Sequence, residues 1–151
     1  MSQPLSRISD AILWRHLDSQ QLHSANHRRN VANVADAVAL IRPFFHNHRR
    51  ERLCTILLNR WNEVMAILVA EGEKTRVVVS PRKLVGTALQ LEAASVILAH
   101  NHPSGDSSPS RADISVTRHL ANVLRSLDIA LLDHIIFGHR GFTSFRQERM
   151  L

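Results

Sequence analysis

One stretch, from Val96 to Asp113, constrains the fold of this chain more than any other. It begins with an apolar run typical of a buried strand, and it ends with a serine followed by an amphipathic segment, which is typical of a helix start. Between the two lie Pro103, Gly105 and Pro109, which predict a turning loop. The sequence therefore predicts a strand, a loop and a helix in direct succession.

Polar residues stand where this strand ends and where this helix begins. His100 and His102 close the apolar run, and residues two apart on an extended backbone share a face, so both imidazoles can point at one position. The start of the helix can carry Asp113 back towards the histidines. Two ring nitrogens and one carboxylate oxygen suit zinc, and three protein ligands leave the fourth tetrahedral position open for water, as in catalytic sites. The spacing thus predicts a zinc site.

Simpler explanations exist for each part of this pattern. Ser110 with Asp113 also makes a capping box, and a lone His-x-His tripeptide is more often structural than metal-binding. The tripeptide at 46–48 repeats His-Asn-His with no strand before it and no Ser-x-x-Asp after it, so we interpret that copy as solvated loop. Only the copy at 100–102 combines all the features, which favours a metal site there.

The pattern His-x-His, seven residues, Ser-x-x-Asp resembles that of the JAMM (MPN+) metalloproteases, and Ala-His-Asn-His-Pro-Ser-Gly-Asp at 99–106 is similar to their bacterial RadC-like branch. The resemblance extends from about residue 33 to residue 151. It implies that the zinc ligands are His100, His102 and Asp113. It also implies that Ser110 helps to stabilise the reacting oxyanion and that an upstream glutamate is the general base.

The resemblance points to Glu51 as the general base, at the start of a predicted strand. A glutamate suits this role because it can accept a proton beside the metal without binding the metal, and then pass that proton to the leaving amine. Glu51 between two arginines is equally explained as a surface ion pair. The alternatives Glu63, Glu71, Glu73 and Glu92 therefore stay open.

A length of 151 residues predicts one domain. We expect a peripheral helix and linker over residues 1–30, with the helix at about 6–22, and the metal-binding domain, JAB/MPN by resemblance, over residues 31–151. Within that domain, hydrophobic periodicity predicts strands at 51–59, 63–70, 75–79, 96–98, 129–137 and 142–145, and helices at 33–45, after Ser80 and after Ser110. Leu89 belongs to the predicted buried face of the helix after Ser80, and Leu127 to that of the helix after Ser110. Strands interleaved with helices predict an α/β fold, a mixed β-sheet with helices on both faces. The resemblance implies the same layering, which is also that of cytidine deaminases.

Composition excludes several classes of protein. Cys54 is the only cysteine, which excludes an intramolecular disulfide, a cysteine zinc site and the zinc deaminases; we expect a buried thiol there. There is no apolar run long enough to cross a bilayer and no signal peptide pattern, so we expect a cytoplasmic protein without a membrane partner.

The formal net charge of +6 comes mostly from arginine and permits acidic partners. We expect at most weak, sequence-independent binding of nucleic acid, which depends on whether several arginines share one face: Arg28, Arg29, Arg49, Arg50 and Arg52.

Two functional hypotheses follow. The first is a zinc-dependent hydrolase that cleaves an amide or isopeptide bond of a protein or peptide substrate. The second is a RadC-like accessory protein associated with DNA repair or nucleic acid, whose metal site is structural or vestigial. Departures from the RadC-like pattern at Ser80, where a histidine is usual, and at 72–75 predict different substrate contacts. Asp133 and His134 interrupt an apolar strand. His134 is explained either as a residue that hydrogen-bonds a metal ligand or as a core histidine, and we favour the core histidine.

Overall fold

The computed structural model describes residues 15–17, 30–46, 49–71 and 80–151. The predicted strand at 75–79, most of the predicted helix at 6–22 and most of the tripeptide at 46–48 lie outside these residues. The part of the chain that is described forms one six-stranded sheet with α-helices on both faces, in agreement with the predicted α/β fold.

The sheet has the order β1-β3-β2-β4-β5-β6. Every neighbouring pair is antiparallel except β4 and β5, which are parallel and are connected through a helix. The strands are β1 (Arg15–Leu17), β2 (Arg52–Leu58), β3 (Val64–Glu71), β4 (Ser95–Asn101), β5 (Ala130–Phe137) and β6 (Phe142–Ser144). The four strands from β2 to β5 lie close to their predicted positions.

In the described ranges, three α-helices cover the sheet: α1 (Val34–Ile41), α2 (Pro81–Gln90) and α3 (Arg111–Arg125). The first helix begins at a capping box made by Asn33 and Asp36, and the chain passes into a 3-10 turn at Arg42–Phe44, where Pro43 removes a backbone donor. The second helix begins as predicted, with Ser80 as its N-cap and Pro81 at its first position.

The two faces of the sheet bury separate apolar clusters. One cluster joins α1 to alternate residues of the strands, including Cys54, Ile97 and Phe137. The other joins α2 and α3 to the intervening residues, including Leu57 and Leu98. Because side chains alternate along a strand, this division fixes which face each polar residue at a strand end belongs to. We call these faces the α1 face and the α3 face.

Two sequence expectations about the core helices are wrong. Leu89 and Leu127, predicted to be buried, are 48% and 38% exposed. Leu89 lies about 120° around α2 from the direction midway between the buried Leu84 and Ala88, so it points away from the sheet. Leu127 follows the end of α3, where the chain turns back towards β5.

The predicted peripheral helix is also wrong at the only place where it is described. Arg15–Leu17 forms strand β1 and pairs with β3 in antiparallel register. The backbone groups along the outer edge of β3 need hydrogen-bond partners, and a neighbouring extended segment supplies them. The structure of these three residues is therefore decided by their pairing with β3 and not by their own periodicity.

No helix in the described ranges is both long enough and apolar enough to cross a membrane.

Candidate metal centre

Three elements end or begin at one edge of the sheet. Strand β4 ends there at Asn101, and α3 begins there after the loop that follows. Because β2 runs antiparallel to β4, the start of β2 lies at the same edge, with Leu53 opposite His100. This edge is the carboxyl end of the parallel pair β4 and β5, where open α/β sheets place their ligands.

The alternation of side chains brings one set of residues to the α3 face of this edge. His100 shares the face of Leu98, and Glu51 shares the face of Leu53 and Leu57 in β2. His102 follows the end of β4, and its backbone N–H donates to the carbonyl of Phe137, which extends the ladder by one residue. Both histidines therefore face the N-terminus of α3, as predicted.

The structure brings the three predicted ligands together. The Nε2 atoms of His100 and His102 lie 3.0 Å apart. The Asp113 carboxylate reaches both rings, with Oδ1 at 3.3 Å from His100 Nε2 and Oδ2 at 3.3 Å from His102 Nε2. Within the described residues, these three side chains are the group that could hold a metal ion.

The spacing of these atoms fits zinc. Zinc binds imidazole nitrogens and carboxylate oxygens at about 2.0 to 2.1 Å in a tetrahedron, whose ligand atoms then lie roughly 3.3 Å apart. The three observed separations, 3.0, 3.3 and 3.3 Å, are close to that value. Two histidines and one carboxylate also leave a tetrahedral position without a protein ligand.

A capping box orients the Asp113 carboxylate. Ser110 donates its backbone N–H to Asp113 Oδ2 at 2.7 Å, and its hydroxyl accepts the N–H of Asp113 at 3.1 Å. Partial burial opposes ionisation of Asp113, but hydrogen bonds from His100 and Ser110 outweigh it and hold the pKa of Asp113 below its ordinary value. The carboxylate that faces the two histidines is thus also the capping carboxylate, so the two interpretations of Ser-x-x-Asp do not exclude each other.

Both histidines are held with Nε2 towards the centre. His102 Nδ1 lies 2.8 Å from the backbone carbonyl of Asp106, which accepts its proton. His100 Nδ1 lies 2.8 Å from His134 Nε2, in the core of the protein. A hydrogen bond at the far nitrogen of a ligating histidine fixes the tautomer and the direction of the ring.

His134 is the partner that our sequence interpretation undervalued. Burial, followed by the neighbouring His100, lowers the pKa of His134 to about 3, so the ring is neutral and can accept the His100 proton. Its Nδ1 lies 2.6 Å from the hydroxyl of Thr117, which donates to the backbone carbonyl of Asp113. A continuous chain of donors therefore connects His100, through two buried side chains, to the residue that supplies the carboxylate.

Asp133 has a structural role next to this chain. Its carboxylate accepts the hydroxyl proton of Ser144 and the backbone N–H groups of His134 and Arg146. These bonds tie the C-terminal turn to β5. Because successive side chains of a strand point to opposite faces, His134 lies on the α3 face and Asp133 on the α1 face. This alternation could have been read from the sequence.

Glu51 lies closest to the centre among the described candidates for the general base. Its Oε1 is 3.9 Å from His100 Nε2, and its side chain is 15% exposed. Glu71 forms an ion pair with Arg52 at 3.0 Å. Glu63 accepts from Asn59 at the turn between β2 and β3, and Glu92 is exposed after α2. Glu73 lies outside the described residues.

Asn101 clamps the backbone on both sides of Glu51. Its Oδ1 accepts the N–H of Arg52 at 2.7 Å, and its Nδ2 donates to the carbonyl of Arg50 at 3.0 Å. Asn101 is buried on the α1 face, between two residues whose rings point to the other face. The middle residue of the tripeptide therefore fixes the start of β2, which our sequence analysis did not anticipate.

Comparison with known proteins adds the family context. A model of the RadC-like JAB domain matches residues 31–150. A UPF0758 protein of Symbiobacterium thermophilum is 38% identical over 147 residues, which cover 97% of this chain and 63% of that protein. UPF0758 proteins of Geotalea uraniireducens and Methanosarcina acetivorans are 41% and 38% identical over 71% and 80% of this chain. The chain spans 47% and 53% of those two proteins, so it corresponds to about half their length.

Proposed function

This chain belongs to the family of RadC-like JAB domains, and on that premise we propose that it is a zinc-dependent hydrolase that cleaves an amide or isopeptide bond of a protein or peptide. The observation that carries the proposal is the convergence of His100, His102 and Asp113 at 3.0 to 3.3 Å, with Glu51 beside them. A structural zinc site normally has four protein ligands, whereas a catalytic site has three.

A zinc ion bound by these residues would supply Lewis-acid chemistry, which activates water and polarises the substrate carbonyl. Glu51 Oε1 takes up the proton released from water and delivers it to the leaving amine. The Ser110 hydroxyl accepts a helix N–H through its oxygen, so its hydrogen remains able to donate to the oxygen of the scissile carbonyl as negative charge develops there.

The alternative of a nucleic-acid accessory protein draws on the positive charge of the chain. Within the described part, Arg52 does not support it, because its guanidinium bonds to Glu71 and to the carbonyl of Phe44. Arg49 and Arg50 remain exposed, and Arg28 and Arg29 lie outside the described residues. No observation on the described surface favours this alternative over the hydrolase.

The metal part of the proposal is tested by elemental analysis of the purified protein. We expect about one zinc ion per chain, since three ligands converge. The His100→Ala, His102→Ala, Asp113→Ala triple variant should contain almost none, while a His119→Ala variant, altered on an exposed turn of α3, should keep the full amount. Near-stoichiometric zinc in the triple variant would refute the assigned ligands.

The catalytic part is tested by Glu51→Gln, measured with a library of fluorogenic peptides and lysine isopeptides. The amide keeps the size of the side chain but cannot accept the proton, so hydrolysis should fall by about a hundred- to ten-thousand-fold. The zinc content should not change. Glu63→Gln and Glu92→Gln are the matched controls and should retain most activity. If Glu51→Gln is active and a Glu→Gln variant at another position is inactive, the general base is that other glutamate.

A further inference from the structure

A groove of about 700 Å³ opens beside the proposed metal centre, on the α1 face of the same edge of the sheet. His102 lies at the point where the groove meets the centre, since it both lines the groove and belongs to the group of proposed ligands. A group held in this groove would therefore lie next to the bond being cleaved.

The floor of the groove is aromatic and carries a fixed cation. The rings of Phe45 and Phe137 are stacked, with their centroids 4.7 Å apart. The guanidinium carbon of Arg42 lies 5.6 Å from the centroid of the Phe137 ring. A cation–π contact of this kind holds a guanidinium against the ring while its N–H groups remain available to a ligand. Arg49, which is exposed, also lines the groove.

The opposite wall is formed by His139, which packs on the loop that follows β4. Its backbone N–H donates to the carbonyl of Gly105 at 2.9 Å. Gly105 has φ +86°, and a Cβ added there would lie 2.3 Å from His139 Nδ1. Only glycine therefore allows the His139 ring to occupy this position, and the loop that carries His102 is locked to the wall of the groove.

The charge of the groove has one sign. Its described lining contains two arginines and three histidines but no aspartate or glutamate. Among the residues that the structure describes, neither Arg42 nor Arg49 forms an ion pair. The nearby Arg52, in contrast, is neutralised by Glu71. A site with two such guanidiniums over an aromatic floor suits a planar anion, because guanidinium pairs with carboxylate through two parallel hydrogen bonds.

We propose that this groove binds a carboxylate of the substrate, one or two residues from the scissile bond. The inference rests on the proposed hydrolase function for its position in the reaction, but the binding itself requires no metal. The carboxylate belongs either to an acidic side chain of the substrate or to the free C-terminus of a peptide.

Two features favour a peptide over nucleic acid. Only two arginines line the described groove, so about two phosphates could be neutralised, whereas binding through phosphates gains its affinity from many such contacts. The groove also meets the proposed metal centre at His102, so a peptide bound in the groove can bring a carbonyl to the proposed metal.

The inference is tested by isothermal titration calorimetry, which measures the binding of four short probes to the full chain. Three are alanine-based pentapeptides: one with a central glutamate and both ends capped, one with glutamine in its place, and one without acidic side chains but with a free C-terminus. The fourth is a ten-residue thymidine oligonucleotide. Each titration is run with and without one equivalent of zinc, since a carboxylate could also bind the metal.

The glutamate or free-carboxylate peptide should bind at least about threefold more tightly than the glutamine peptide. An Arg42→Gln/Arg49→Gln double variant should lose about fivefold or more of that binding, with and without zinc. The Arg118→Gln/Arg125→Gln variant, changed on the exposed side of α3, is the matched control and should bind like the wild type. Preference between the two carboxylate peptides identifies the source of the carboxylate.

Equal binding of the glutamate and glutamine peptides, or binding that does not depend on Arg42 and Arg49, would overturn the inference. So would the absence of measurable carboxylate binding at millimolar peptide. Tighter, arginine-dependent binding of the oligonucleotide would assign the groove to nucleic acid instead. Failure of the hydrolase proposal would appear separately, as missing zinc or as unchanged hydrolysis by Glu51→Gln.

Discussion

Among single residues, Asn101 holds the backbone on both sides of Glu51 through two hydrogen bonds. The clamp lies on the opposite face of the sheet from His100, so Asn101 acts on the centre only through the position of β2. Truncating it leaves the half-buried N–H of Arg52 without its partner and releases the segment that carries the proposed base. We therefore regard Asn101 as a positioning residue.

We predict that Asn101→Ala lowers kcat of the hydrolysis by up to about a hundredfold, with KM and zinc content little changed, because a displaced base loses its alignment with the reacting groups. A double variant provides the control. If Asn101 acts through Glu51, then Asn101→Ala should add almost nothing in a Glu51→Gln background. If the two single variants' losses in kcat multiply in the double variant, Asn101 does not act through Glu51 and its role is purely structural.

In the proposed centre, His134 and Thr117 also act through another residue, since they fix the proton on His100 Nδ1 and leave Nε2 free for the proposed metal. Neither side chain is near enough to bind the ion itself in this arrangement. Substituting either residue should therefore weaken zinc binding without abolishing it.

We predict that His134→Phe weakens zinc binding by about ten- to a hundredfold in competition with a chromophoric chelator. The phenyl ring keeps the stacking against Phe145 but cannot accept the His100 proton. Thr117→Val should weaken binding in the same direction, and Thr117→Ser, which restores the hydroxyl, should recover it. Wild-type affinity in both His134→Phe and Thr117→Val would show that the donor chain does not control the metal.

At the scale of elements, α3 has two functions at its first turn. Its capping box satisfies backbone groups at the helix N-terminus, and the same box presents the Asp113 carboxylate to the histidines. Substitutions at Ser110 can separate the cap from the proposed role of the hydroxyl in hydrolysis, because glycine is tolerated as an N-cap but has no side chain.

We predict that Ser110→Ala lowers the free energy of unfolding by about 1 kcal/mol, and that Ser110→Gly costs only a few tenths. Both variants lack the hydroxyl and should lose about a hundredfold or more in hydrolysis. Urea unfolding and the peptide assay measure the two effects separately. Activity that follows stability, with Ser110→Gly nearly as active as wild type, would limit Ser110 to the cap.

At the scale of the whole molecule, we expect the fold not to depend on a bound metal ion. Both faces of the sheet have their own apolar cluster, and strands β2 to β5 are buried along most of their length. Cys54, in the central strand β2, is completely buried, and this burial raises the pKa of its thiol in spite of the nearby Arg52. The apolar clusters, and not the metal, should provide most of the stability.

We predict that removal of zinc by a chelator leaves the protein folded at 25 °C and lowers its melting temperature only moderately. At a free zinc concentration a hundredfold above the dissociation constant, binding stabilises the native state by about 2.7 kcal/mol, which corresponds to roughly 5 to 10 °C for a domain of this size. Circular dichroism melts with and without the chelator measure the shift. Loss of secondary structure at 25 °C on chelation would show that the metal is structural.

The convergence of His100, His102 and Asp113 could be predicted because their geometry is local. The spacing of His100 and His102 follows from the two-residue period of a strand, and the reach of Asp113 follows from the first turn of a capped helix. Between residues 33 and 145, the strands and helices that the structure describes were predicted closely for the same reason: hydrophobic periodicity records which side of an element is buried. The prediction failed at Leu89, which points away from the sheet, and at Leu127, which lies beyond the end of α3.

Tertiary structure alone decided which residues support these three side chains. Glu51 and Asn101 meet because β2 pairs with β4 in antiparallel register, and His134 reaches His100 because β5 lies parallel to β4. Arg15–Leu17 is extended because β3 offers an edge to pair with, against the helical period of its own sequence. Pairing between distant segments is chosen by the burial of whole faces and by hydrogen bonds across strands, and no local spacing in the chain records that choice.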